Sequence, residues 1–498
     1  MNSLGRRNVV IFYFSRTGSR RFKFILQIAF IFFTSCLVFG ALPFCLLAGQ
    51  LGQGRGATSS SSNHKAGYER NLRIVVFGSP DIIGNTRQAS SKRRPWTEDL
   101  CNELKCSIYT SFVPQGQPNR GLISNALYGK GVQDLLNITK HTNVKEKPAL
   151  DFCYIAKHYP TPYEVPDLSS QVRDFLTMPP PKSSPFQTLW IFSFGTWEVW
   201  NMAAMPRNTS QYILTSMARH ILDQAEMLFE KSLDPKSIAF SGLCANITGL
   251  HAGKPGEPDA RLGCFQILIP MLIDISLTPG WQRRLKPPTP NSVAEQTRNA
   301  VELTKLWNQE ISSAVVYWNK RITKKPEENV SERMKVSENR DKTENIEPIK
   351  HRKAIVESMA QARQEDRAIE ALYPLRSGLT IDVSKVVLDA MTESQMQHAA
   401  VADLRGRGTL AHNDSMWFAD VGTPCVQAEV TDLAIEKENI MTHCESDNDH
   451  LFYDSFTISE RASRGVVSAI LKEVKYRLLY PKTKGVEYRG NGNLVNNI

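Results

Sequence analysis

Phe24 to Ala48 is a run of 25 positions without one charged residue, FILQIAFIFFTSCLVFGALPFCLLA. A helix that crosses a hydrocarbon core of about 30 Å needs about 20 apolar residues. The run therefore predicts a transmembrane helix, apolar on all faces, and no second run of that length follows. Residues 49–70 are Gly/Ser-rich with almost no large apolar side chain, the composition of a flexible stalk. From residue 71 the pattern changes to short apolar blocks separated by amphipathic stretches. RIVVFG (73–78), LWIFSFG (189–195) and FQILIPMLIDISL (265–277) are continuous apolar blocks, as buried parallel strands are. Helical spacing of apolar positions marks 96–106 (Trp96, Leu100, Leu104), 121–137, 211–232 (Ile213, Met217, Ile221, Leu228) and 292–322 (Val301, Leu306, Ile311, Val315). Strands alternating with helices predict an α/β sheet with helices on both faces. Residues 323–353 are dense in Lys, Arg, Glu and Asp and read as a disordered insertion or solvated linker. Helical patterns return at 354–372 and 383–399, and a last helix is expected from about Ser459. The lumenal domain is thus 71–480, with a tail at 481–498.

Charge turns the apolar run into a topology. Residues 1–23 hold Arg6, Arg7, Arg16, Arg20, Arg21 and Lys23 and no acid. Positive charge flanking a first span stays cytoplasmic. The chain is then a single-pass type II membrane protein, with everything after Gly49 lumenal or extracellular, in the endomembrane system or plasma membrane. The alternative, a cleaved signal peptide, has an apolar region of only about 7–15 residues. The net charge is +10, and six of those charges sit in the leader. What remains is mildly basic with no basic stripe interleaved with aromatics, which argues against nucleic acid as a partner.

Acceptor triplets for N-glycosylation occur at Asn137, Asn208, Asn246, Asn329 and Asn413, all beyond the span. Of nine cysteines, Cys36 and Cys45 lie in the span, and none of the others has the CxxC spacing of a zinc site. In an oxidising compartment such residues pair. Cys425 with Cys444 and Cys244 with Cys264 are loop-closing candidates, though pairing cannot be read from spacing, and seven leaves one thiol over. No cofactor and no metal site is expected. Asp447-Asn448-Asp449 has the Asp-x-Asp form that glycosyltransferases use for a divalent metal, but it stands in a polar loop that reads as a solvated acidic turn.

Three blocks resemble one family. RIVVFGSPDIIGN (73–85) resembles the strand-then-turn block carrying the nucleophile of GDSL/SGNH ester hydrolases. LWIFSFGTWEVW (189–200) resembles their block in which a strand ends in Gly-x-Asn-Asp. CESDNDHLFYDSFTISERAS (444–463), preceded by VGTPC (421–425), resembles the last block, Asp-x-x-His before the final helix. Their order along 73–475 is that of the family, and the chain is most similar to its fungal membrane-anchored members. The resemblance implies a flavodoxin-like (SGNH-type) parallel sheet and cleavage of acyl or acetyl esters on glycans or lipids. It implies Ser79 as nucleophile, Asp454 as orienting carboxylate, and Gly195 with Gly121 in an oxyanion hole. Trp197 and Glu198 stand where the family has Asn and Asp.

The chemistry needs a base on the serine and N–H donors on the oxyanion. The departures bear on both. Ser79 is followed by Pro80, and it aligns as nucleophile only with one residue deleted. Thr457 occupies the place of the catalytic His and cannot take a proton near neutral pH. His443 and His450 are the nearest substitutes along the chain. The second expectation is therefore a catalytically inactive SGNH-like protein that binds a glycan or a protein through the same crevice. Under that reading Ser79 is a turn residue and Asp454 caps the turn before the last helix.

Overall fold

The computed structural model describes residues 71–86, 93–115, 121–181, 183–243, 265–320, 376–428 and 441–479. The basic leader, the apolar run at 24–48, the stalk, the charged segment 323–353, the pattern at 354–372 and the tail 481–498 lie outside them. So do Cys244, Cys264, Asn246 and Asn329. Among the described residues no helix is long and apolar enough to cross a membrane.

Five strands form one sheet: β1 (Leu72–Gly78), β2 (Ile108–Ser111), β3 (Gln187–Ser193), β4 (Phe265–Pro270) and β5 (Arg376–Ile381), in the order β2-β1-β3-β4-β5. Every pairing is parallel. The connections carry α1 (Trp96–Leu104), α2 (Asn125–His141), α3 (Cys153–His158), α4 (Leu168–Thr177), α5 (Thr196–Met202), α6 (Arg207–Ser232), α7 (Pro279–Gln282), α8 (Val293–Lys320), α9 (Ser384–His398) and α10 (Glu460–Val474). The fold is α/β. The three central strands are buried at every position, which is why they read as unbroken apolar runs.

The register sorts side chains onto two faces. Arg73, Phe77, Trp190, Phe265 and Arg376 point to one. There Phe175 of α4 meets Phe77 and Trp190 edge-on at 6.0 and 5.3 Å. Phe229 of α6 and Trp318 of α8 meet Phe265 edge-on at 5.6 and 5.9 Å. Two cations are buried on this face and both are held. Arg73 donates to the carbonyls of Ile238 and Ala239 at 2.7 and 3.2 Å and to Thr188 Oγ1. Arg376 pairs with Glu226 and lies over the Phe229 ring. On the other face Gln187 donates to Gln266, which donates to the Leu478 carbonyl just after α10. α10 in turn packs on α1.

The third apolar run is not a strand throughout. β4 stops at Pro270, which has no N–H for a ladder, and Ile275–Leu277 is a 3₁₀ turn. A two-stranded antiparallel ribbon, β6 (Val426–Ala428) and β7 (Met441–His443), lies apart from the main sheet's ladder. The disulfide Cys425–Cys444 closes its open end. A second disulfide, Cys101–Cys106, spans the left-handed cap residue Lys105 at the end of α1. Among the described residues Cys153 is a free, exposed thiol. Asn137, Asn208 and Asn413 are exposed.

Candidate functional site at the β1–β3 switch point

The strand order reverses between β1 and β3, and ligands of open α/β sheets enter at the carboxyl ends of the strands there. Three chain segments meet at this point. The first is the turn 79–85, which leaves β1. The Ser79 N–H donates to the Ser193 carbonyl at 3.0 Å. Asp81 organises the rest: its Oδ1 accepts the N–H groups of Gly84 and Asn85, and its Oδ2 accepts Trp96 Nε1 at 3.0 Å and Ser193 Oγ at 2.5 Å. Asn85 closes the turn by donating to the Ser79 carbonyl at 2.7 Å. Burial raises the Asp81 pKa, and these four bonds oppose that shift.

The second segment is Ser193–Glu198, where β3 turns into α5. Gly195 has φ +115°, which a side chain rarely adopts. A Cβ there would also lie 2.8 Å from atoms of Leu272 and Trp307. The Gly195 N–H, which the family resemblance assigns to the oxyanion, donates to Glu198 Oε2 at 2.7 Å. Glu198 Oε1 accepts the Ile123 N–H at 2.7 Å, two residues after Gly121. Glu198 thus ties the start of α5 to the segment just after Gly121. It is fully buried, and desolvation pushes its pKa up to about 7. Trp197 Nε1 donates to the Pro80 carbonyl at 2.6 Å, locking α5 to the first turn.

The third segment is 454–458. Asp454 Oδ1 accepts the N–H groups of Phe456 and Thr457 at 2.8 and 2.7 Å, an Asx-type turn. The Ile458 N–H donates to the Ile82 carbonyl, and Phe456 lies edge-on to Trp197 at 5.1 Å. Thr457 Cγ2 stands 3.0 Å from where a Cβ on Gly84 would be. Ser459 caps α10 through the Ala462 N–H.

Ser79 is fully buried and its Oγ has no hydrogen-bond partner among the described residues. His450 Nδ1 is bonded to the Thr423 carbonyl, and His443 is exposed on β7. The two buried carboxylates of these segments, Asp81 and Glu198, are both engaged by N–H or O–H donors. The free space enclosed by Asp81, Ser193, Thr196 and Leu272 is about 20 Å³, room for about one water. Asp81 and Ser193 form the centre of the constellation, and neither follows from the family motif. The available signal was local: Asp81-x-x-x-Asn85 directly after a buried strand is Asx-turn chemistry. Asp447 lies against the Cys425–Cys444 disulfide, its Oδ1 3.1 Å from Cys425 Sγ. The two sulfurs are bonded to each other and offer no thiolate to a metal.

A search with protein-family models and a search of curated proteins found no match to this chain.

Proposed function

We propose that this chain is a non-hydrolytic binding protein of the SGNH type, carried on the N-terminal helix 24–48 and presented to the secretory lumen or cell exterior. The strand order 2-1-3-4-5 supports a flavodoxin-like sheet. The meeting of the three motif-bearing segments at its switch point supports the SGNH lineage. One observation carries the non-hydrolytic reading: Ser79 Oγ is buried and has no base within hydrogen-bond reach among the described residues. The Gly195 N–H adds to it. A developing oxyanion would have to displace a carboxylate from the very donor that should stabilise it.

The purified full-length chain, exposed to a fluorophosphonate probe beside Ser79→Ala, tests this. Equal labelling of the two proteins and no cleavage of short acyl esters is the expected result. Labelling that disappears in Ser79→Ala would restore the serine ester hydrolase.

A further inference from the structure

We infer that a cleft beside the switch point binds one sugar residue of a neutral glycan, an inference that rests on reading the domain as a binding protein. The cleft has a volume of about 410 Å³, within the about 300–1,000 Å³ of small-molecule sites. Its floor is Trp200 and Asn201 of α5, one helical turn beyond the Trp197 that locks to Pro80. Its wall is the loop before α4, with Tyr159, Thr161, Tyr163 and Glu164.

The wall is built before any ligand arrives. Tyr128 Oη donates to the Tyr159 carbonyl at 2.7 Å, and Asn125 Nδ2 donates to the carbonyls of Pro162 and Val165 at 3.1 and 3.0 Å. The Tyr163 hydroxyl rests over Gly129 of α2, where a Cβ would lie 2.7 Å from it. The Arg284 guanidinium stacks on both Tyr159 and Trp200 at 4.4 Å. A preformed site loses little conformational freedom on binding.

The chemistry of the lining selects the ligand. Trp and Tyr rings combine a flat apolar body with a polar tip, which matches the C–H face and hydroxyl rim of a pyranose. Asn201 is 7 % exposed, and its side-chain amide makes no hydrogen bond to any described residue. An amide needs an acceptor and a donor together, and a sugar hydroxyl is both. Thr161 has the same dual capacity, and Glu164, when ionised, accepts hydroxyl donors. The lining holds a carboxylate and neither Lys nor Arg. Glu164 disfavours an anionic group placed beside it.

Titration calorimetry on the full-length chain tests the inference, with glucose, mannose, galactose, N-acetylglucosamine and their short oligomers as probes. Saturable binding of at least one probe is expected, with Kd between about 1 µM and about 1 mM. Tyr163→Ala should weaken it at least tenfold. Tyr163 is 75 % exposed, so its truncation leaves the fold intact. Asn201→Ala should do the same, with its thermal unfolding checked alongside. No saturable binding of any probe up to about 10 mM would overturn the inference. So would binding that both variants leave unchanged, or binding confined to acidic glycans or proline-rich peptides. Ser79-dependent fluorophosphonate labelling would defeat the non-hydrolytic reading and leave this result standing, so the two failures are separable.

Discussion

At the scale of single residues, the switch point is held by two buried carboxylates that do structural work. Glu198 bridges two backbone N–H groups across segments far apart in sequence, and Asp81 accepts four donors at the mouth of β1. Their energetics carry a sign. Glu198 has its pKa raised by desolvation from 4.5 to about 7. Below about pH 4.5 the folded and unfolded chains both hold the proton. Between about pH 4.5 and 7 the unfolded chain has released it while the folded chain keeps it. Stability therefore falls as pH rises through that window, by about 3 kcal/mol when complete, at 1.36 kcal/mol per pKa unit. Asp81 is shifted in the same direction and adds to the slope. Urea unfolding at about pH 5 and about pH 8 should show the loss, and Glu198→Gln should make it shallower. A variant with the wild-type slope would mean that Glu198 is not the buried proton carrier.

At the scale of elements, helix α2 presents a glycine to α6 where its packing is tightest. A Cβ on Gly131 would lie 2.2 Å from Ile213 Cδ1 of α6, so a larger residue there requires the Ile213 side chain to move. Gly131→Val is expected to destabilise by about 1–3 kcal/mol through overpacking. Adding Ile213→Ala should recover part of that loss, because the contact removed is the one overfilled. A double-mutant cycle with no coupling would place the strain elsewhere. The same contrast between stripe and contact explains what the sequence made legible. β1 and β3 were visible because a strand buried on both faces needs apolar residues without a break. The amphipathic helices α6 and α8 were visible because one face is solvated, although Val301, expected on the apolar side of α8, is exposed and Ala300, Leu303 and Trp307 are buried there instead. β2 (Ile108–Ser111) and β5 (Arg376–Ile381) were not, because edge strands are half-buried and tolerate Thr, Ser and Gly. Arg376, which reads as a polar break, is a core residue only because Glu226 and the Phe229 ring meet it from α6. α4 was missed for a like reason: its apolar positions Leu168, Val172 and Phe175 are few, and its start depends on the Asp167 cap. In the candidate site, Gly195 and Glu198 were visible by resemblance. The role of Glu198 as a bridge to Ile123 depends on a tertiary contact that no spacing encodes.

At the scale of the whole molecule, the proposed placement beyond the membrane can be argued from the domain's surface and its cross-links. The Cys425–Cys444 bridge joins the two strands of the β6–β7 ribbon, and Cys101–Cys106 clamps the end of α1. Such bonds persist in oxidising compartments. Asn137 on α2, Asn208 on α6 and Asn413 in the loop after α9 each expose their acceptor side chain on the folded surface. A glycan on any of them would project into solvent without displacing core packing. With six positive charges ahead of the apolar run and none of these acceptors before it, the proposed leader-inside topology would put all of them on the modified side. The chain expressed in its secretory pathway should therefore shift to higher mobility on enzymatic removal of N-glycans. Replacing Asn137, Asn208 and Asn413 by Gln should reduce that shift stepwise. Absence of any shift in the wild-type chain, with its cysteines freely alkylated without reductant, would put the domain on the cytoplasmic side and remove the extracellular glycan as its ligand.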